Sequence, residues 1–295
     1  MATFSDWVEG ARLRTLPAAT APVLLGTAAA ARMGAWSLPR ALLALGVALL
    51  IQIGVNFAND YSDGVRGADQ DRQGPPRLTG GGLAAPRTVL LAAVSSFLAA
   101  AVLGLVLTAV SGQWWLIAVG AAAFVAAWFY TGGKHPYGYW GVGVSELFVF
   151  VFFGLVATVG TTFTQALSAP GWVWALASAT GCLSIALLFV NNIRDIPSDR
   201  LVGKKTVAVR LGEGLSRGFW ALMALLSVLL PVIFVPDWPT WVRVVLAVVL
   251  AAAALVPGHR VFSGAKGKAL IPALRDTGLL VLFHGIVVSI AVAWV

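Results

Sequence analysis

An all-α, polytopic membrane helix bundle of about nine spans, with its N-terminus cytoplasmic, is the fold this sequence predicts. Three observations predict it. Hydrophobic residues make up 59% of the 295 and charged ones 11%, against roughly 45–50% and about 25% in ordinary soluble domains. The apolar residues gather into nine runs near the ~20 residues that a spanning helix needs, and none shows the period-two alternation of a barrel strand. The basic residues fall almost wholly on one side of those runs, as cytoplasmic loops require.

The first run, 16–32, follows Arg12 and Arg14 and is interrupted by Pro17 and Pro22. With Ala28-Ala29-Ala30 it mimics a cleavable signal peptide, but the long positive flank and the prolines favour retention. The Leu/Ala/Val-rich run 38–58 ends directly at Asn59-Asp60. Runs 88–110, 113–131 and 140–161 come next. Run 172–193 contains Cys182, a small hydrophobe in that setting, and ends at Asn191-Asn192. Runs 217–236 and 239–257 are Val/Leu-rich, and 277–294 closes the chain. The inner segments then hold Arg12, Arg14, Arg66, Arg72, Arg77, Arg87, Lys134, Arg194, Arg200, Lys204, Lys205, Arg210, Arg217, Arg260, Lys266, Lys268 and Arg275, which is 17 of the 20 basic residues. Only Arg32, Arg40 and Arg243 lie outside. Trp residues cluster at both ends of the runs, as an aromatic belt would. No soluble domain fits, so residues 1–295 read as one transmembrane domain. A single Cys excludes a disulfide framework. The net charge of +8 is accounted for by topology, and no basic stripe with interleaved aromatics points to nucleic acid.

Six of the 12 acidic residues sit in two short segments, each directly after an apolar run: Asp60, Asp63, Asp69 and Asp71, then Asp195 and Asp199. Carboxylates at a bilayer boundary are costly unless compensated. A hard divalent cation, magnesium above all, is the simplest compensation, and a diphosphate substrate is the simplest reason to hold one there. Even-numbered spans all end at the inner face, which brings Asn59, Asp60 and Asp63, Tyr130 and Lys134, Asn191 and Asp195, and His259 to one side. Asn59 and Asp63 are four apart and share a helix face, as do Asn191 and Asp195. Pro197 is expected to end or bend the sixth helix before Asp199. Helix C-termini are partly negative and disfavour a bare phosphate, so the cation has to mediate. Arg72, Arg77, Arg194, Arg200, Lys134, Lys204 and Lys205 are interleaved with the acids and suit phosphate oxygens. Gly80-Gly81-Gly82 reads as a flexible re-entry into the third span. Glu146 in its apolar setting is either functional or a partner for Lys134.

These motifs resemble the UbiA superfamily of intramembrane prenyltransferases. Asp195 and Asp199 match its second Asp-x-x-x-Asp signature. Asn59, Asp60 and Asp63 match the first, with Gly67 in place of the last Asp and Asp69 two residues on. That departure resembles the menaquinone-making branch. So do Asn191-Asn192-Ile193-Arg194-Asp195-Ile196-Pro197 with Gly203 to Gly212, and Ala11 to Pro17, where Leu13 stands at a position commonly Pro. Tyr130-x-x-x-Lys134 matches a further motif. The resemblance implies a magnesium-bound polyprenyl diphosphate that ionises to an allylic cation, and a 1,4-dihydroxy-2-naphthoate acceptor that loses carbon dioxide. It implies metal–diphosphate roles for Asn59, Asp60, Asp63, Asp69, Asn191, Asp195 and Asp199. Phosphate contacts fall to Lys134, Arg72, Arg77, Arg194 and Lys204, and a carboxylate contact to Arg12 or Arg14. Phe57, Tyr61, Trp128, Tyr130, Phe148 and Phe189 are candidates to face the cation. The expected setting is the inner membrane of the cell, with the site on the cytoplasmic side and the isoprenoid tail in lipid. Prenyl chain length and oligomeric state are left open.

Two alternatives stand beside this one. Another aromatic or tetrapyrrole acceptor would keep the chemistry. A cation-coupled secondary transporter would use the acids as ion sites, although transporters favour charges near mid-membrane on broken helices, and here they cluster at helix ends.

Overall fold

Every apolar run folds as a helix, because in lipid each backbone N–H and C=O must be satisfied within its own segment. The computed structural model describes residues 2–67 and 77–294. Its helices are α1 (Phe4–Ala11), α2 (Pro17–Arg32), α3 (Leu38–Val65), α4 (Pro86–Ser111) and α5 (Leu116–Thr131), then α6 (Val144–Ala166), α7 (Gly171–Leu201), α8 (Val207–Phe234), α9 (Thr240–Phe262) and α10 (Ile271–Trp294). Among the described residues there is no strand. The all-α membrane architecture is as expected, but the number of spans is not fixed by length. Among the described residues seven helices are long and apolar enough to cross a bilayer. α2 and α5 have 16 residues each, or about 24 Å at 1.5 Å per residue, short of a ~30 Å hydrocarbon core.

α7 is the central helix. Its most apolar window is 72% buried, against 17% for α4, which separates an axial helix from one facing lipid. α8 packs along α7, α4 along α3, and α10 along α2. The approach of α6 to α7 depends on glycine: a Cβ on Gly154 would meet Gly181 Cα at 2.6 Å and Ala177 O at 2.7 Å. Small residues let membrane helices close to this distance. The same stretch of α6 is wound as a π-helix from Phe150 to Val156, a feature that re-aims side chains and concentrates at functional sites.

Two expectations are corrected here. Pro197 does not end its helix, since α7 continues to Leu201. Only one ladder bond is lost near the terminus, so Asp195 and Asp199 stay one turn apart on a continuous face. Trp220 and Trp238 are not belt residues. Both are buried, in two separate core clusters.

Candidate active site

The face of α3 that carries Gln52, Asn56, Asn59 and Asp63 repeats at four, three and four residues, the period of one helix side. All four are buried, and all line a cavity of 160 Å³. Across it α7 presents Ser184, Asn191, Asn192, Asp195, Ser198 and Asp199. Arg12, Arg77 and Lys204 add positive charge to the same cavity. The ends of the second and sixth apolar runs therefore meet around one space, as the paired acidic segments require.

Each carboxylate has a basic or hydroxyl partner. Tyr139 Oη donates to Asp63 Oδ1 at 2.9 Å, and Arg77 Nη2 lies 3.7 Å from Asp63 Oδ2. Arg194 grips Asp195 with two bonds, Nε to Oδ1 at 2.7 Å and Nη2 to Oδ2 at 2.6 Å, and Nη2 also donates to Asn191 Oδ1 at 2.9 Å. Lys204 Nζ is 3.9 Å from Asp199 Oδ1. Burial opposes the charge on Lys204, but Asp63 and Asp199 outweigh it and raise its pKa above the ordinary lysine value. It therefore keeps its proton at any working pH. Burial first and Asp63 second raise Tyr139 above the usual phenol range, which keeps its hydroxyl a donor.

Tyr139 and Lys204 come from two loops that close over this end of the bundle. Lys205 N–H donates to Tyr139 O at 3.2 Å, Arg210 Nη2 to Trp140 O at 2.6 Å, and the Lys204 ammonium sits 5.0 Å from the centre of the Tyr139 ring. Gly141 makes the closure possible. Its φ of 64° is a left-handed value that suits glycine, and a Cβ there would lie 1.9 Å from Lys205 O.

On the other wall, α3 fixes the chain around Arg12. Thr15 Oγ1 accepts from Gln52 Nε2 at 2.9 Å and Asn56 Nδ2 at 3.0 Å, and donates to Arg12 O at 2.9 Å. Asn56 Nδ2 also donates to Ala11 O at 2.8 Å. Arg12 itself has φ 54°.

A second, apolar chamber of 480 Å³ lies between α2, α3, α4, α5 and α6. Val55, Tyr130, Val149 and Phe153 line both spaces and form the neck between them. Tyr130, Tyr137 and Phe148 pack edge to face beside it, at 5.6 and 4.9 Å between neighbouring rings.

The sequence-predicted residues sort as follows. Asn59, Asp63, Arg77, Tyr130, Asn191, Asp195, Asp199 and Lys204 line the polar cavity. Lys134 is exposed and does not; Lys204 supplies the ammonium in its place, because the 202–206 loop folds inward while Lys134 lies on the outside of its own loop. Arg194 is spent on Asp195 and Asn191 and does not reach the cavity wall. Arg14 is ion-paired to Glu9, which leaves Arg12 as the arginine of that segment that lines the cavity. Asp60 faces away from it. Asp69 and Arg72 lie outside the described residues. His259 is exposed, and among the described residues Glu146 has no ion pair with Lys134. Of the aromatic candidates Tyr130 and Phe148 line these two spaces, whereas Phe57 packs on Trp7 and Phe189 stacks on Phe219. The sequence reading missed Gln52 and Asn56, although two amides four apart inside an apolar run were a usable signal. It also missed Tyr139, for which no spacing gave notice.

Among the described residues no three His, Cys, Asp or Glu side chains form a metal cluster alone. The groups that line the cavity nonetheless include hard oxygens suited to such a cation: three carboxylates, from Asp63, Asp195 and Asp199, and, among the amides, those of Asn59 and Asn191. Magnesium is commonly held by one or two carboxylates together with substrate phosphates and water. This set fits a cation that arrives with a phosphate-bearing substrate.

A sequence profile of the UbiA prenyltransferase family matches residues 19–284. The chain is 51% identical over 295 residues to a 1,4-dihydroxy-2-naphthoate octaprenyltransferase of Mycobacterium tuberculosis, spanning 100% of this chain and 99% of that one. It is 38% identical over 234 residues to the protein so named in Escherichia coli, spanning 77% and 75%. Among solved structures it resembles a UbiA homolog from Archaeoglobus fulgidus bound to DMAPP and Mg2+, with a TM-score of 0.65 at 17% identity over 96% of this chain and 99% of that one. It also resembles the apo UbiA homolog from Aeropyrum pernix K1, with a TM-score of 0.67 at 16% identity over 98% and 100%.

Proposed function

This chain belongs to the UbiA prenyltransferase family, and from that premise we propose that it transfers a polyprenyl group from polyprenyl diphosphate to 1,4-dihydroxy-2-naphthoate. The observation that carries the reading is the joining of two spaces at one neck: a polar cavity rich in carboxylate, amide and basic groups, and an apolar chamber behind Tyr130 and Phe153. A substrate with a charged head and a long hydrocarbon tail has that shape.

Asn59, Asp63, Asn191, Asp195 and Asp199 would hold magnesium together with the diphosphate. When bound, the cation supplies positive charge to the phosphate oxygens and lowers the cost of pyrophosphate leaving. Arg77 and Lys204 donate to those oxygens as negative charge develops on them. The carbon–oxygen bond of the donor breaks heterolytically, and the electron pair leaves with pyrophosphate. Tyr130 at the neck offers a ring face to the allylic cation, worth roughly 0.5–2 kcal/mol. Val149, Phe153, Leu187 and Leu188 keep water from it. The ring carbon that bears the acceptor's carboxylate bonds to the allylic carbon, and that carboxylate departs as carbon dioxide, its bonding pair restoring the aromatic ring. The product is a demethylmenaquinol. Arg12 is the group for the acceptor carboxylate. The protein is a single transmembrane domain over residues 1–295. It has nine spans, with α2 and α5 crossing as short helices, the N-terminus and site on the cytoplasmic side, and the inner membrane of the cell as its setting.

Membranes carrying the protein, given dihydroxynaphthoate and a polyprenyl diphosphate, are expected to form prenylated product and pyrophosphate with magnesium and to stop with excess chelator. Formation of product only with 4-hydroxybenzoate would overturn the acceptor, and movement of an ion across liposomes without pyrophosphate release would overturn the reaction. Lys204→Gln is expected to lower transfer by about a hundredfold, the scale of one lost charge-stabilising donor. Lys134→Ala is expected to stay within about twofold, as surface substitutions usually do. The reverse order of effects would reassign the ammonium.

A further inference from the structure

Asp60 is the second residue of the first acidic signature, between the cavity-lining Asn59 and Asp63, and yet it is turned away from both. It is 1% exposed and, unlike them, is absent from the cavity wall. Its carboxylate is fully engaged elsewhere. Oδ2 accepts from Leu78 N–H at 2.9 Å and Oδ1 from Thr79 N–H at 2.8 Å. Two charge-assisted bonds to successive amides fix the two peptide planes on either side of Leu78 firmly, and the first of these is the peptide that joins Arg77 to Leu78. Arg77 lines the cavity with its guanidinium 3.7 Å from Asp63. Leu78 is 1% exposed and packs with Phe57, Val89 and Trp7. Its Cδ1 lies 2.7 Å from where a Cβ on Gly10 would stand, so the anchored loop is also seated beneath α1.

We infer that Asp60 is a positioning residue for diphosphate recognition: it acts through the Leu78 and Thr79 amides to hold Arg77 at the cavity and does not ligate the cation. This rests on the reading of Arg77 as a phosphate contact. The physical ground is orientation: a carboxylate whose two oxygens are each bonded to an amide of the 78–79 turn, away from the cavity wall, is held out of reach of a cation in the cavity. Among the described residues Arg77 belongs to no helix; the turn that follows it is tied to α3 by this carboxylate, by Leu78 and by the packing of Thr79 on Gly64.

The test uses the full-length protein in detergent or liposomes and compares wild type with Asp60→Asn, Asp63→Asn, Arg77→Ala and the Asp60→Asn/Arg77→Ala double variant. Asp60→Asn is expected to raise KM for the prenyl diphosphate about tenfold or more, the size of a lost charge-assisted hydrogen bond. Half-saturation by magnesium and KM for the naphthoate should stay within twofold of wild type. Inorganic pyrophosphate should protect the variant from thermal unfolding only at about tenfold higher concentration, a readout that needs no turnover. The double variant should be no worse than Arg77→Ala alone, because both act on one interaction. Should Asp60→Asn fail to fold, Thr79→Pro removes one of the two donors while leaving the carboxylate, and must raise the same KM. A magnesium shift as large as that of Asp63→Asn, multiplying effects in the double variant, or an unchanged KM in the single variant or in Thr79→Pro would overturn the inference. If Arg77→Ala alone leaves KM unchanged, the phosphate role of Arg77 falls first and takes this inference with it.

Discussion

Asp63→Asn or Asp195→Asn is expected to reduce prenyl transfer by at least about a hundredfold, comparable to removing a key electrostatic group from a water-poor site. Both side chains line the cavity from facing helices, and each is already oriented by a partner, Tyr139 for Asp63 and Arg194 for Asp195. Partners of this kind fix a ligand's orientation before the cation arrives. Asparagine keeps the shape and one oxygen but removes the charge. The magnesium needed for half-maximal activity should therefore rise in both variants, and excess magnesium should restore part of the rate. The two should differ in stability. Arg194 is 2% exposed, and loss of its carboxylate partner leaves a buried guanidinium uncompensated, at a cost of about 3–5 kcal/mol. Asp195→Asn should accordingly unfold at a clearly lower temperature, while Asp63→Asn, which keeps an oxygen for the Tyr139 hydroxyl and loses a longer pairing with Arg77 at 3.7 Å, should lose less. Near-wild-type transfer by either variant at limiting magnesium would remove that residue from the metal site.

The second large effect lies in the apolar chamber. Gly120 and Gly160 both line it, and a Cβ built on either meets nothing within 4 Å. Phenylalanine at these positions has room to grow into the chamber and is favoured over glycine in a helix. Gly120 is ten residues from Tyr130 at the neck along α5, about 15 Å at 1.5 Å per residue. A ring there blocks the far part of the chamber and leaves the near part open. Gly120→Phe and Gly160→Phe should thus keep most activity with geranyl diphosphate and lose it with octaprenyl diphosphate. The ratio of kcat/KM for the short over the long donor should rise by about tenfold or more, the effect of a few kcal/mol of steric exclusion at most. An unchanged ratio across a series of donor lengths would show that the tail lies elsewhere.

Much of this was legible in the chain. The apolar runs gave the helices because a bilayer permits few other spanning forms, and the acids after the second and sixth runs gave the cavity because charge at that depth needs a reason. Gln52 and Asn56 were legible and overlooked. The division of labour among neighbours was not legible. Asn59, Asp60 and Asp63 are adjacent in one motif, but only two face the cavity, since successive residues of a helix point about 100° apart and what each meets depends on another helix or loop. Lys134 and Lys204 look alike in sequence, and the fold of two loops separated them. Tyr139 entered the site only because Gly141 lets its loop settle against Lys205.

The sequence by itself determined a helical membrane protein, the helices whose ends carry the chemistry, and the kind of cation and substrate those ends suit. Each of these follows from local composition and from the cost of charge in lipid. The tertiary structure alone decided which oxygens share one cavity, which arginine holds an acid and which lines the wall, and where the hydrocarbon chamber joins the polar head site. Those outcomes depend on how whole segments pack, as α3 and α7 do across the cavity, and no local pattern encodes those distances.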